Sequence, residues 1–246
     1  MVKFSRIEIV TTFKPKDDLM LLLGPSIKKV NDNLKGKFLQ LTIPNDAPFE
    51  LPRYAIQLKN MLIHIGLNRI QIISEPPPHI QNSIEESFKF IQETSKYIVS
   101  TILKGNLEYL WTGIITTIKK ELKAEKPIKA VYPIFKKMIN LDWKDEELAS
   151  FNFQIGRKIK DIFVNYTISG FEKRRLLLDN LNKNKLSIEN LKNVNSTIGI
   201  QILLDINNKP QTKKADPLKD LDNIIKQQFN LSKSMSKDLN LGDILI

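Results

Sequence analysis

The sequence predicts an α+β fold: a mostly antiparallel sheet, or sheets, with helices packed on one face. Three observations carry this. Strand-like segments follow one another directly (residues 54–73, then 148–170), which favours antiparallel pairing over a strict strand–helix alternation. The segments with helical spacing fall between those groups. The 246-residue chain is 41% hydrophobic, enough for a packed core. The whole is read as a single domain over residues 1–246, with sub-halves 1–123 and 124–246 as its alternative division. No repeat is visible at the residue level.

The elements follow in order. Phe4, Ile7 and Ile9 mark a first strand. In residues 16–35, Leu19, Leu22, Leu23, Ile27 and Val30 share one helical face, Gly24-Pro25 predicts a break or kink, and Gly36 ends the helix. Residues 38–43 read as a second strand, and 44–52 as a loop rich in Pro, Asn and Asp. Residues 54–58 and 61–73 read as a hairpin turning at Lys59-Asn60, with a further turn or bulge at Gly66-Leu67-Asn68. Asn82-Ser83 caps a long helix whose stripe runs from Ile84 to Ile102, with Glu85 and Glu86 where the helix dipole favours acids.

Residues 107–118 are β-branched and aromatic and read as a strand, 129–139 as a short helix, and 148–155 and 159–170 as strands. Residues 176–196 fit neither pattern. The run 198–206 has the composition of a strand covered on both faces. Asp216-Pro217 opens a last helix through Phe229. A polar stretch then precedes Leu239, Leu241, Ile244, Leu245 and Ile246, an ending suited to docking on a partner.

Composition closes off much chemistry. No cysteine is present, which removes disulfides, thiolate metal sites and a cysteine nucleophile, and two histidines cannot make a three-His centre. No apolar run is long enough for a membrane span, and no secretory signal precedes the first strand, so a cytoplasmic location without a membrane partner is expected. Gly-x-Ser-x-Gly, the P-loop and the dinucleotide fingerprint are all missing. No metal and no cofactor are expected.

The net charge is +11, but lysine outnumbers arginine 32 to 6 and isoleucine reaches 34, the bias of an AT-rich gene. The excess is spread over both halves, so it supports only a weak pull on polyanions. Two concentrations stand out. One comprises Lys119, Lys120, Lys123, Lys126, Lys129, Lys136 and Lys137. The other spans residues 157–175, where Arg157, Lys158, Lys160, Arg174 and Arg175 interleave with Phe163, Tyr166 and Phe171. Basic-plus-aromatic composition is that of a single-strand platform; it is equally the composition of aromatics facing a core and lysines facing water. Glu121-Leu122-Lys123, with Glu108 upstream, supplies the residue types of a metal-dependent nuclease, although Glu121 is placed after its strand. Asp205 reads as a turn-forming or capping acid.

Three stretches resemble a sporadically distributed bacterial family of uncharacterised α+β proteins. They are Pro52-Arg53 before the hairpin through Met61-Leu62-Ile63-His64-Ile65, the helix from Ile84 into the strand 107–118, and Ile202-Leu203-Leu204-Asp205-Ile206 before a helix closing on Phe229. His64 stands where that pattern has Gln, and Leu110-Trp111-Thr112 replaces an Arg-Tyr-like pair. The resemblance implies an α+β fold and no established activity. The expectation is a non-enzymatic protein that binds other macromolecules through a protein partner or self-association, as a subunit of a bacterial or mobile-element assembly. The alternative is a nucleic-acid-binding protein or metal-dependent nuclease with a basic surface.

Overall fold

The computed structural model describes residues 2–15, 19–44, 46–103, 107–123, 126–138, 152–174, 196–209 and 216–241. In chain order these form β1 (Val2–Phe13), α1 (Leu19–Leu34), β2 (Lys37–Gln40), β3 (Tyr54–Gln57), β4 (Met61–Ile65), β5 (Arg69–Ser74) and α2 (Ile84–Leu103). There follow β6 (Tyr109–Leu122), α3 (Pro127–Met138), β7 (Asn152–Ile159), β8 (Ile162–Arg174), β9 (Ser196–Asn207) and α4 (Pro217–Leu241). The fold is α+β, as expected. One nine-stranded antiparallel sheet runs β2-β3-β4-β5-β1-β6-β9-β8-β7. The element order repeats: strand, helix, a strand meander and a helix, then the same again beginning at β6. The two opening strands, β1 and β6, lie side by side in the middle.

The core is set by register. Ile56, Ile63, Ile72, Ile9, Ile114, Ile206 and Val164 pair in a single row across seven strands, and every one is buried to 1% exposure or less. Side chains alternate across a strand, so this row and its even neighbours face one side. Leu23, Ile27 and Val30 of α1, Phe88, Ile91 and Ile98 of α2, Val131 of α3, and Leu221 and Ile224 of α4 complete the same core. The helices therefore cover one face of the sheet. Burying β-branched side chains along the pleat is what this isoleucine-rich composition does best.

Local signals explain most boundaries. Ser83 Oγ accepts from the Glu86 amide (3.2 Å) and starts α2. Asp216 Oδ1 accepts from the amides of Leu218 and Lys219 and starts α4. Arg53 donates to the carbonyls of Pro44 and Ala47, which holds the loop before β3 against the sheet. A buried polar knot ties α4 to the central strands. Asn208 Oδ1 accepts from the Thr112 amide (2.8 Å), its Nδ2 donates to Asp220 (2.9 Å), and Tyr109 OH donates to the same carboxylate (3.0 Å).

Three local expectations are corrected. α1 continues unbroken through Gly24-Pro25, because Leu23 on one side and Ile27 and Val30 on the other are all anchored in the core. The run around Ile198–Ile206 is covered on one face only: Gln201, Leu203 and Asp205 alternate with buried neighbours and stay partly exposed. α4 continues beyond Phe229 to Leu241, with Ser232 and Met235 buried, so the polar composition after Phe229 does not end it. Leu239 and Leu241 belong to this helix; Ile244, Leu245 and Ile246 lie outside the described residues, as do Arg175, Asp142, Asp145, Glu146 and Glu147. No helix among the described residues is long and apolar enough to cross a membrane.

Candidate nucleic-acid interface

One residue along from the buried isoleucine row, the register Leu62–Ile73–Glu8–Ile115–Asp205–Asn165–Gly156 crosses the opposite face of the sheet. None of these side chains is buried, and no described helix packs on them. This bare face mixes aliphatic, amide and charged groups. A depression of about 710 Å³ lies over it, lined by Lys3, Arg6, Glu8, Lys119, Phe171 and Gln201 among others.

Two of the acids here are counterbalanced. Glu8 accepts from Arg6 Nη2 (2.7 Å) and from Gln71 Nε2 (2.5 Å). Gln71 also hydrogen-bonds His64, whose ring is held below its usual pKa, first by burial and then by nearby arginines against the Gln71 bond. Glu121 accepts from Lys3 Nζ (2.8 Å), a contact that lowers its pKa. Asp205 is different. Burial raises its pKa, Asn207 and Asn165 work against that rise, and the negative Glu8 adds to it.

The aromatics carry cations. Lys119 Nζ sits 5.3 Å from the Phe171 ring centroid, Lys158 Nζ 5.4 Å from Phe163, and Lys209 Nζ 5.4 Å from Trp111. All three rings are half-buried and lie on the bare face. The Phe171 ring comes close to Gly199, its partner on β9; a Cβ there would fall 2.8 Å from the ring and 2.1 Å from the Lys120 carbonyl oxygen. A side chain at 199 would push the ring away, so glycine is what lets an aromatic platform lie against the strand.

Strand alternation divides the basic-aromatic segment at residues 157–175. Phe163 and Phe171 face the bare side, whereas Tyr166 is buried in the core, with Arg157 over its ring and donating to its hydroxyl (3.1 Å). Lys158 is on the edge strand β7, and Lys160 takes φ 55° in the two-residue turn to β8. Arg174 ends β8. In the other concentration, Lys119 is on the bare face, Lys120 follows it on β6, and Lys123 lies just past the strand.

The nuclease constellation does not assemble. Glu121 lies on β6 rather than after it, and Glu108 immediately precedes that strand. Thirteen residues of extended chain put them about 43 Å apart. Glu108 pairs instead with Lys14 (2.7 Å). Among the described residues, no three His, Asp or Glu side chains gather where they could hold a metal ion. Asp205 is corrected too: it sits inside β9, two residues before its end, and is neither a turn nor a cap.

Glu8, Gln71, Asn165 and Asn207 were not singled out by sequence reasoning. The available signal was period two: Asn165, Thr167 and Ser169 alternate with buried Val164, Tyr166 and Ile168, as a strand with one wet face must. No protein-family model matches the chain, and no curated protein matches it in sequence.

Proposed function

We propose that the protein binds single-stranded nucleic acid along the bare face of its sheet and does no chemistry on it. The observation that carries this reading is the set of three lysine-on-aromatic pairs, Lys119/Phe171, Lys158/Phe163 and Lys209/Trp111, all turned to the side that no described helix covers. Stacking needs ring faces and phosphates need cations; in each pair the lysine sits over the ring, and a base that takes its place on the ring meets the displaced cation with its phosphate. Two of the acids that would oppose a polyanion are neutralised locally, Glu8 by Arg6 and Glu121 by Lys3; among the described residues Asp205 is not. Phe163 and Phe171 stand eight residues apart on β8, about 26 Å, a span suited to several nucleotides of an extended strand. A duplex hides its base faces in its own stack, which is why a single strand fits this surface better.

The test is fluorescence anisotropy with a labelled oligothymidylate over a series of salt concentrations. Binding should weaken with a log–log slope of about −0.7 for each phosphate neutralised. A flat salt response, or no binding at low salt, would overturn the reading and leave the face to a protein partner.

A further inference from the structure

We infer that Asp205, framed by Asn165, Asn207 and Phe163, forms a guanine-selective base pocket within that interface; the inference rests on the single-strand reading. The register makes the frame. Asp205 faces Asn165 and Asn207 faces Phe163 across β8 and β9, so the four occupy the corners of a patch about 4.8 Å by 6.8 Å, roughly the size of one base. Phe163 supplies a stacking surface once Lys158, whose Nζ sits over the ring at 5.4 Å from its centroid, swings to the phosphate.

The chemistry of the frame is specific. Asn207 Nδ2 donates to Asp205 Oδ1 (3.3 Å), and Asn165, its partner across β8 and β9, favours the ionised carboxylate against the burial that disfavours it. Asn165 reaches over Gly156, where a Cβ would fall 2.8 Å from its Oδ1. Among the described residues the groups beside the carboxylate on β8 and β9 are neutral amides, which orient it without cancelling its charge. A partly buried carboxylate with no cation among its hydrogen-bond partners in the described residues still has acceptor capacity to fill. Burial already disfavours its charged form, so a ligand donating two hydrogen bonds gains there what water supplies poorly.

Guanine is the base that offers two adjacent donors, N1–H and N2–H, on its Watson–Crick edge. Adenine and cytosine each place an acceptor beside their amino group, and thymine flanks its single N–H with carbonyls. In a duplex those donors are occupied by cytosine; in a single strand they are open. A carboxylate fork at the centre of a stacking face therefore selects guanine and selects unpaired strands.

The experiment compares oligothymidylates carrying one central guanine, inosine or adenine, bound to the wild-type chain and to Asp205→Asn. The guanine strand should bind roughly tenfold tighter than the adenine strand, in the range of a bidentate base contact. Inosine, lacking the N2 amino group, should fall between them. In Asp205→Asn the three strands should bind alike. Equal binding of all three by the wild-type chain, or a guanine preference that survives in Asp205→Asn, overturns the pocket while leaving the interface standing. Failure of every strand to bind overturns both.

Discussion

Lys119 on β6 reaches across β9 to the Phe171 ring on β8, with Gly199 beneath that ring leaving it room. A cation, an aromatic face and a missing side chain on three adjacent strands make one element of a stacking surface. If a base stacks there, Phe171→Ala removes about 1–3 kcal/mol of binding, on the order of tenfold or more in affinity. The melting temperature should move little, because the ring is only half-buried. Lys119→Ala should act differently, flattening the log–log salt slope by about 0.7 while affinity falls uniformly across base sequences. Anisotropy titrations of both variants separate the two roles; identical salt slopes in the wild-type chain and Lys119→Ala would contradict the phosphate contact.

The one-sided sheet has a stability signature. Ile114 is in the buried row and Ile115, its neighbour, is on the bare face. Ile114→Ala should cost about 2–5 kcal/mol, because the surrounding strands cannot collapse into the space. Ile115→Ala should cost less than about 1 kcal/mol. Urea unfolding of the pair measures the difference. Equal losses would mean that something covers the second face.

Much of this architecture was legible before the structure, and the reason is chemical. Strands such as β4, with Ile63 and Ile65 around His64, declare their buried face by alternation, and Ser83 and Asp216 declare helix starts by the hydrogen bonds only they can make. The helix is not broken at Pro25 because propensity is local: the tertiary anchoring of Leu23, Ile27 and Val30 outweighs one lost helical hydrogen bond. β9 misled for another reason. Ile202, Leu203 and Leu204 form a continuous apolar run, yet Leu203 faces out beside Thr117 and Thr167, and a continuous run cannot reveal which of its members the sheet leaves uncovered. The candidate pocket was illegible for a related cause. Asp205 and Asn207 share a strand face by their two-residue spacing, but Asn165 and Phe163 are brought to them only by the β8–β9 register, a non-local relationship that no spacing in the chain records.

Asn208 gives a structural prediction independent of binding. It is 6% exposed and connects the Thr112 amide, Tyr109 and Asp220. Burial holds the Tyr109 hydroxyl well above its usual pKa, so it stays a donor to Asp220 throughout the working range. Asn208→Ala leaves the Thr112 amide without a side-chain acceptor and the carboxylate without one of its donors. The expected loss is about 1–3 kcal/mol, read as a lower urea midpoint with an unchanged slope. A loss below about 0.5 kcal/mol would show that the knot does not hold α4 to β6.

Asp205 links stability to pH with a definite sign. Its folded pKa is raised above the ordinary 3.8, chiefly by burial. Between those two values the folded chain holds a proton that the unfolded chain has released. The group's stabilising contribution is therefore fully present below about 3.8 and is lost as pH rises through the folded value. At neutral pH the ionised side chain is a net burden on the fold. Asp205→Asn should then melt at or above the wild-type temperature near pH 7, with the advantage shrinking toward zero as pH falls to about 3. Thermal melts of the two proteins across that range decide the matter. A variant less stable than wild type at neutral pH would mean that a cation stabilises the carboxylate in the folded chain. If the expected sign holds, the chain keeps at the middle of its bare face a charge that weakens its own fold, the arrangement of a group held for a ligand rather than for packing.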